Sequence, residues 1–355
     1  MDVKNRIGIL CLVVSSMLII VACTQPTKSI KCTLKGIVKD RPLSDQIILL
    51  KGTDNPFTNQ GISIPILNGE FEYTFYCDHE ELYQLVFYDE QVQMRMWPVE
   101  FISEQGVINF TLHPLEQRKQ NFVEGGSLNN AFWDFQTERF NKQFDNSQDY
   151  CLWVLQYAKE RPTIVGYSIL IFIAQDFIGQ MNDISPLVDV FQMVFEPKYP
   201  NHPYTANMMS LFRGSSLKAG IPFIDFTAVD MDGNPVRLSE RIVGKPAVLH
   251  LWSSWCAPCR RTGMEMIPVY EEFRDKGFVV IGVARERNIS TAKAAIELDK
   301  YPWENLVELN DTEQIWVKYG IGNVAGGHFL IDEKGTIITV SPSIEEIRNY
   351  LTNKL

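Results

Sequence analysis

The order of apolar and polar positions divides the chain into three parts with different periods. From residue 31 to about residue 114, apolar and polar residues alternate in short runs such as Cys32–Val38 and Phe71–Phe75. A period of two is typical of β-strands with one buried face. Asn68 and Gly69 form a hairpin signal between two such runs. This part is expected to be an antiparallel, β-sandwich-like module or a small barrel.

The spacing of apolar residues becomes helical between residues 115 and 213. The run Tyr167–Ile178 is strongly apolar, but it is too short to cross a bilayer. We therefore expect a buried helix there, within a helical middle segment that shows no catalytic constellation.

Strand and helix patterns alternate in the last part, residues 214–355, after a linker at 214–220. Ala247–Trp252 predicts a buried strand, a helix follows Cys256, and Phe278–Val283 predicts the next strand. Strands alternating with helices predict an α/β domain with helices on both faces of its sheet. The whole chain is thus expected to be multidomain.

The first residues form a separate unit. Lys4 and Arg6 precede the apolar run Ile7–Val21, which ends at Ala22 and Cys23. This pattern is typical of an export signal, and its end resembles a bacterial lipobox, in which the cysteine is acylated. Residues 1–22 would then be a lipoprotein signal peptide, Cys23 the lipidation site, and 23–30 a tether. An ordinary secretory peptide and an uncleaved anchor are the alternatives.

This interpretation places the protein in the cell envelope, held on a membrane by its lipid and facing the periplasm. Thr24 follows Cys23 where an aspartate would resemble an inner-membrane retention signal, which favours the outer membrane.

Composition changes this picture in one respect. With 45% hydrophobic and 21% charged residues among 355, the chain is an ordered globular protein. The net charge is −10, and no Lys- or Arg-rich run is present. A role in nucleic-acid binding is therefore excluded, because phosphate binding needs a basic face.

The chain has seven cysteines, and export gives them meaning because disulfides persist in oxidising compartments. Cys256 and Cys259 pair by their spacing. Cys32, Cys77 and Cys151 remain, an odd number. A Cys32–Cys77 bridge is one alternative, and buried apolar cysteines are the favoured one.

Candidate chemistry lies in the segment Trp252–Arg260, which contains Trp255-Cys256-Ala257-Pro258-Cys259. A cysteine at the start of a helix has a stabilised thiolate. Cys256 would attack a disulfide, and Cys259, one turn later, would resolve the mixed disulfide. Pro258 would stiffen the turn. Half of a zinc site is disfavoured because no second pair of ligands is nearby, so neither metal nor cofactor is expected.

Residues from about 216 resemble the TlpA/ResA-type thioredoxin-like proteins. The matching residues are Asp225-Phe226, Asp232-Gly233-Asn234, Leu238-Ser239, Gly244-Lys245-Pro246, Trp252–Arg260, Lys276–Val283, Tyr319-Gly320-Ile321, Phe329–Asp332 and Gly335. The resemblance implies a thioredoxin-like fold and thiol–disulfide exchange. Its partners would be disulfide-bearing or dithiol envelope proteins and an upstream electron donor. The first 210 residues resemble, more weakly, the N-terminal β-module of unknown function found in such lipoproteins.

Three positions depart from the family pattern. Where the family places a cis-proline, this chain has Gly326 after Ala325. A cis bond before glycine costs about 3 kcal/mol, against about 1 before proline, so we expect a trans or mobile loop. Altered reactivity and neutral drift are both open.

The family's glutamate after the second cysteine is replaced by Thr262, and Glu265 is too far along the helix to substitute. His250 stands where thioredoxin has a buried acid, so it could accept the proton of Cys259. A hydrogen-bonded core histidine is the alternative.

The leading hypothesis is an envelope-anchored thiol–disulfide oxidoreductase, acting as a disulfide reductase. A binding or scaffold lipoprotein with a weakly active or inactive domain is the second hypothesis. A peroxiredoxin-like peroxidase is the third, and the Trp-Cys-Ala-Pro-Cys sequence makes it unfavoured although Ser253 has the required spacing.

Overall fold

The computed structural model describes residues 29–181, 183–324 and 326–355. The predicted signal peptide, the lipidation site Cys23 and the loop residue Ala325 lie outside the described residues. The described parts form a β-sandwich, a helical segment and an α/β domain, which confirms the predicted multidomain architecture.

Eight strands and one short helix build the N-terminal module. They are β1 (Ile30–Val38), β2 (Gln46–Lys51), β3 (Ile62–Pro65), β4 (Glu70–Cys77), β5 (Leu82–Phe87), α1 (Tyr88–Val92), β6 (Val99–Ile102), β7 (Gly106–Leu112) and β8 (Phe122–Glu124). The strands form two sheets, with the orders β4-β1-β7-β8 and β3-β2-β5-β6. Inward residues of both sheets, such as Leu34, Leu85 and Phe101, share one core. Because inward and outward residues alternate along the strands, the two sheets pack face to face as a sandwich.

One strand pair departs from the expected antiparallel arrangement, because β1 and β7 run parallel. The chain between them passes through the second sheet and returns in the same direction, which a parallel pair requires and a hairpin does not allow.

The predicted turn at Asn68 and Gly69 forms, with both residues at positive φ and Leu67 bridged to Glu70. The flanking strands β3 and β4 nevertheless belong to different sheets. The turn therefore carries the chain from one sheet to the other. Local turn chemistry identified the reversal but could not specify the strand partners.

In the described residues, the middle segment contains five α-helices: α2 (Ser127–Asn141), α3 (Ser147–Glu160), α4 (Ile164–Phe177), α5 (Ser185–Val190) and α6 (Pro203–Ser215). Helix α4 is the predicted buried helix, and its apolar residues pack into two neighbouring cores. None of the helices in the described residues is both long and apolar enough to cross a membrane. Strand β8 lies beyond residue 114, the predicted end of the β-module, and helix α6 continues two residues beyond residue 213, the predicted end of the helical segment. The domain boundaries stay predictions.

The C-terminal domain has a seven-stranded sheet in the order β10-β9-β13-β12-β11-β14-β15. Its elements are β9 (Thr227–Val229), β10 (Pro235–Arg237), α7 (Ser239–Ile242), β11 (Ala247–Trp252), α8 (Ala257–Phe273), β12 (Val279–Glu286), α9 (Ile289–Asp299), β13 (Glu304–Leu309), α10 (Ile315–Lys318), β14 (Gly327–Ile331), β15 (Ile337–Val340) and α11 (Ile344–Lys354). The predicted strands at Ala247–Trp252 and from Phe278 are present as β11 and β12, whereas no apolar pattern indicated β10 or β13.

Both faces of this sheet are covered, as the alternation in β11 shows. Leu249 and Leu251 face one core, while Val248 and Trp252 face the other, beneath α8 and α11. The expectation of helices on both faces is confirmed, and it explains why β11 is an uninterrupted apolar run apart from His250.

Arg285 connects the three parts of the chain. Its guanidinium forms a bidentate ion pair with the carboxylate of Asp311: Nε donates to Oδ1, and Nη2 donates to Oδ2 at 2.9 Å. Thr58 of the sandwich donates a hydrogen bond to the same carboxylate at 3.3 Å. Arg285 also donates to the carbonyl of Gly322 at 3.1 Å, beside Asn323, whose N–H donates to the carbonyl of Gln175 in α4 at 2.7 Å.

The cysteines outside the CxxC motif are unbridged in the described structure. Cys32 and Cys151 are buried and Cys77 is partly buried. Strands β1 and β4 adjoin, but Cys32 lies opposite Phe75 and Cys77 opposite Ile30. Burial raises the pKa of Cys32 to about 12 and that of Cys151 to about 11, so both remain thiols.

Replacing Arg285 by Met is expected to lower the free energy of unfolding by about 3 to 5 kcal/mol, because it leaves the Asp311 carboxylate buried without its cation. The exposed side-chain fractions of the pair are 3% and 11%. The matched control is Arg241→Met, which breaks the exposed pair with Glu304 and should cost far less, because ion pairs at the surface contribute little to stability. Urea denaturation measures both. Equal losses in the two variants would contradict this role for Arg285.

Candidate active site

The redox motif lies where β11 ends and α8 begins. Cys256 occupies the N-cap position of α8, and the N–H of Cys259 donates to its sulfur at 3.1 Å. The unpaired N–H groups and the dipole of a helix N-terminus favour negative charge at this position. The structure therefore places the predicted nucleophile where its thiolate is stabilised.

Cys256 and Cys259 form a disulfide, with their Cα atoms 5.4 Å apart. Pro258 lies in the first turn of α8, where the helix does not need its missing N–H. Cys256 is only 3% exposed, whereas Ala257 and Pro258 are exposed and Cys259 is partly exposed. The described chain is thus in its oxidised form, with its motif at the surface and its nucleophilic sulfur largely covered.

Trp255 contacts a residue from the other end of the chain. Its ring stacks on Phe57 of the sandwich, with centroids 5.2 Å apart and planes inclined by 29°. Phe57 lies in the loop between β2 and β3. No sequence signal could have linked two residues so far apart, so sequence reasoning missed this contact.

Glu286 is a second residue that sequence reasoning missed. It ends β12, is buried, and its carboxylate accepts a hydrogen bond from the N–H of Ser254 at 2.5 Å. Burial raises its pKa, while the bond to Ser254 opposes the shift. A carboxylate at the end of a predicted central strand was the available signal, because ligand sites in such sheets lie at the carboxyl ends of strands.

Arg260 fixes the other side of the motif. It forms two hydrogen bonds with Asp299, of 2.7 and 2.6 Å, and donates to the carbonyl of Ser254 at 3.2 Å. Tyr301 donates to the backbone carbonyl of Arg260 at 3.0 Å. These bonds hold the first turn of α8 against the loop that precedes it.

His250 lies in β11 on the face covered by α8, fully buried and opposite His328. Neither ring nitrogen has a hydrogen-bond partner among the described residues, although the backbone of Cys259 is near enough to oppose its pKa shift. Burial, followed by His328, lowers the pKa of His250 to about 3. The ring is therefore neutral at physiological pH.

Gly326 packs directly against the motif. A Cβ atom at this position would lie 2.2 Å from the carbonyl oxygen of Leu251 and 3.0 Å from the sulfur of Cys259. Any side chain, including the ring of proline, would collide with the backbone of β11 in this arrangement. The glycine thus permits a closer approach than the family's proline would.

The remaining departures lie on α8. Thr262 donates from its hydroxyl to the carbonyl of Pro258 at 3.3 Å, and Glu265 is exposed. Neither makes a described contact with the sulfurs. Within residues 29–181, 183–324 and 326–355, no group of three or more His, Cys, Asp or Glu residues is arranged to hold a metal ion.

Comparison with known families and curated proteins supports the C-terminal assignment. Residues 219–340 match the AhpC/TSA family model. The thiol-disulfide oxidoreductase ResA of Bacillus anthracis is 25% identical over 130 residues, which cover 36% of this chain and 73% of that protein. ResA of Geobacillus thermodenitrificans is 28% identical over 132 residues, covering 36% and 72%.

Solved structures also resemble this domain. The thioredoxin domain of a thiol-disulfide oxidoreductase from Bacteroides vulgatus is 28% identical, with a TM-score of 0.36, and the match covers 39% of this chain and 99% of that one. A putative thiol:disulfide interchange protein DsbE from Chlorobium tepidum is 24% identical, with a TM-score of 0.34 and coverages of 39% and 98%.

Replacing His250 by Asn should weaken the acid sensitivity of the oxidised protein. Because the folded-state pKa lies below the unfolded value, the unfolded chain binds the extra proton between about pH 6.5 and 3. The contribution of neutral His250 to the free energy of unfolding is therefore fully present above about pH 6.5. It decreases on acidification by up to about 1.4 kcal/mol per pH unit. Unfolding free energies at pH 7 and pH 5 measure this slope, to which His328, whose pKa is also lowered, contributes. An unchanged slope in the variant would contradict this assignment.

The CxxC pair at the start of α8, the seven-stranded sheet and the matches to ResA proteins agree on one family. They concern the C-terminal third of the chain and leave the first two thirds unassigned. The C-terminal domain of this chain is thus thioredoxin-like, and it is similar to the TlpA/ResA-type thiol–disulfide oxidoreductases.

Proposed function

We propose that this chain is a lipid-anchored protein-disulfide reductase of the cell envelope. The single observation that carries the proposal is Cys256 at the N-cap of α8, bonded to Cys259 one turn later. The names of its relatives support the class of reaction. The direction of electron flow and the anchor are additional steps.

The reaction starts from the reduced pair. The Cys256 thiolate attacks one sulfur of a partner disulfide, which releases the other sulfur as a thiolate. Cys259 then attacks the Cys256 sulfur, which forms the internal disulfide and releases the second partner sulfur. Two electrons and two protons pass to the partner. An upstream dithiol protein must return the two electrons to Cys256 and Cys259.

Two features favour a reductant. Cys256 is largely covered, so burial opposes the stabilisation that its thiolate receives from α8. The neutral His250 adds no positive charge beneath the pair. A dithiol whose reduced form lacks strong stabilisation donates electrons readily, whereas a strong oxidant has a stabilised reduced form.

His250 is the candidate acceptor of the Cys259 proton. Its unpartnered nitrogens lie near the backbone of Cys259, and a thiolate formed there would favour the protonated ring. If this role is correct, the His250→Asn variant has an altered pH–rate profile; an unaltered profile would remove it.

The anchor rests on the sequence Lys4–Cys23 alone. An acylated Cys23 would hold the protein on a membrane of the envelope, with the outer membrane favoured, and residues 23–30 would connect it to β1. Exposure to the periplasm would give the reductase access to disulfide-bearing envelope proteins.

A scaffold function is the second candidate, and the observation that favours it is that Cys256 is only 3% exposed, while the adjacent Trp255 is stacked on Phe57 of the sandwich. A scaffold would keep the disulfide but turn over slowly. Reduction of insulin separates the two functions, because a reductase catalyses it with a dithiol donor and a scaffold does not.

Cells that carry Cys259→Ala are expected to accumulate mixed disulfides between Cys256 and envelope proteins, since the resolving thiol is absent. They should be recovered from the membrane fraction and disappear on reduction. The double variant Cys256→Ala/Cys259→Ala is the control and should trap nothing. Absence of trapped partners together with absence of insulin reduction would overturn the oxidoreductase proposal, whereas recovery from the soluble fraction would overturn only the anchor.

A further inference from the structure

A cleft of about 750 Å³ opens beside Trp255, between the sandwich and the C-terminal domain. One wall is formed by sheet β3-β2-β5-β6 and α1, and includes Gln46, Ile48, Ser63, Tyr88 and Val92. The other wall is formed by the redox loop and the end of β12, and includes Ser254, Trp255, Glu286, Arg287 and Thr291. A partner that enters this cleft must therefore contact both modules.

The loop of residues 55–61, here called the docking loop, joins the two walls. Asn59 donates from its side chain to the carbonyl of Asn310 at 3.2 Å, and the side chain of Gln60 donates to the carbonyl of Arg287 at 2.9 Å. Phe57 adds the stack on Trp255. The docking loop thus fixes the sandwich wall in register with the redox loop.

Helix α1 of the sandwich also binds the docking loop. Gln91 of α1 is buried and donates to the carbonyls of Pro56 and Asn59, at 2.9 and 3.2 Å. Asn55 accepts from the N–H of Phe57 at 2.9 Å. Hydrogen bonds to the C-terminal domain on one side and to Gln91 on the other therefore fix the conformation of the docking loop.

The lining has a definite chemistry. Among the described residues that line the cleft, Glu286 and Arg287 are the only charged ones, and the Glu286 carboxylate already accepts a hydrogen bond from the N–H of Ser254. The remaining polar groups are mainly amides and hydroxyls, which can both donate and accept hydrogen bonds, as a polypeptide backbone requires. Tyr88 and Val92 are 43% and 57% exposed at this surface, so they can bury an apolar side chain of a partner.

We propose that the cleft receives the cysteine-bearing polypeptide segment of the oxidised partner, and that it selects segments that are uncharged and carry an apolar residue near the cysteine. Phe57 is a positioning residue that holds Trp255 and the docking loop. The proposal rests on the proposed reductase function. The electron balance is unchanged: Cys256 and Cys259 lose two electrons, and the partner disulfide gains them with two protons.

The test compares two disulfides with the full-length protein and dithiothreitol as electron donor. One probe is a disulfide-linked peptide with uncharged flanking residues and one tyrosine; the other is oxidised glutathione, a small anionic disulfide. Val92→Glu places a negative charge on the cleft wall at an exposed position. It should lower the ratio of kcat/KM for the peptide to kcat/KM for glutathione by about tenfold.

The matched control is Val243→Glu. Val243 is 59% exposed and lies near the amino end of β11, whereas the cleft lies at the carboxyl end. This variant introduces the same charge at similar exposure, and its ratio should equal that of the wild type.

The variant Phe57→Ala provides a second test, in which KM and kcat for the peptide are compared. Loss of the stack should raise KM for the peptide severalfold more than it lowers kcat, because the sulfur chemistry resides in Cys256 and Cys259. The control is Phe122→Ala, which removes the aromatic contact between Phe122 in β8 and Trp133 in α2; this variant should leave KM unchanged.

The outcomes separate the two proposals. A wild type that reduces neither disulfide defeats the reductase function and this inference with it. A wild type that reduces both, with equal loss of peptide and glutathione activity in Val92→Glu and Phe57→Ala, leaves the function standing and overturns the cleft as a peptide site. A wild-type kcat/KM that is higher for oxidised glutathione than for the peptide would also overturn the cleft as a peptide site.

Discussion

The buried ion pair between Arg285 and Asp311 is the interaction on which the arrangement of this molecule depends. A buried guanidinium is costly unless its charge and its N–H groups are matched. Here the matching groups come from different parts of the chain: Asp311, which also binds Thr58 of the sandwich, and Gly322, in the loop that contacts α4. Satisfying one arginine therefore requires all three parts to be in place.

This constraint acts on the redox centre because the loops it holds surround that centre. Arg285 directly precedes Glu286, which binds the loop before Cys256. The loop held at Gly322 leads to Gly326, whose backbone lies against Cys259. The sandwich reaches the same region through Phe57 and Trp255. The N-terminal modules thus contribute to the surroundings of the disulfide as well as to the mass of the protein.

The sequence predicted those features that are encoded locally. Strand β11, the helix start at Cys256 and the buried helix α4 follow from apolar runs and motif spacing, and the structure contains all three. Features that depend on distant pairing were not predictable. The parallel pairing of β1 with β7 is decided by how the chain returns from the second sheet, and the stack of Phe57 on Trp255 joins two loops with no shared pattern.

The site shows the same division. Cys256, Cys259, Trp255 and Pro258 were identified from adjacent residues, and His250 from its strand position. Glu286 and Asp299 were missed because their relation to the motif exists only after folding. Gly326 was recognised as a departure, but its physical basis, the missing Cβ against Leu251, required the backbone.

Hydrogen exchange of the full chain tests most directly whether Arg285 holds the modules together around the redox centre. Two backbone N–H groups report on it: that of Asn323, bonded to Gln175 of α4, and that of Gln60, bonded to Asn310. In Arg285→Met both should exchange at least about tenfold faster, while β11 keeps its wild-type protection. Unchanged exchange at both positions, or equal acceleration throughout the C-terminal domain, would contradict the account.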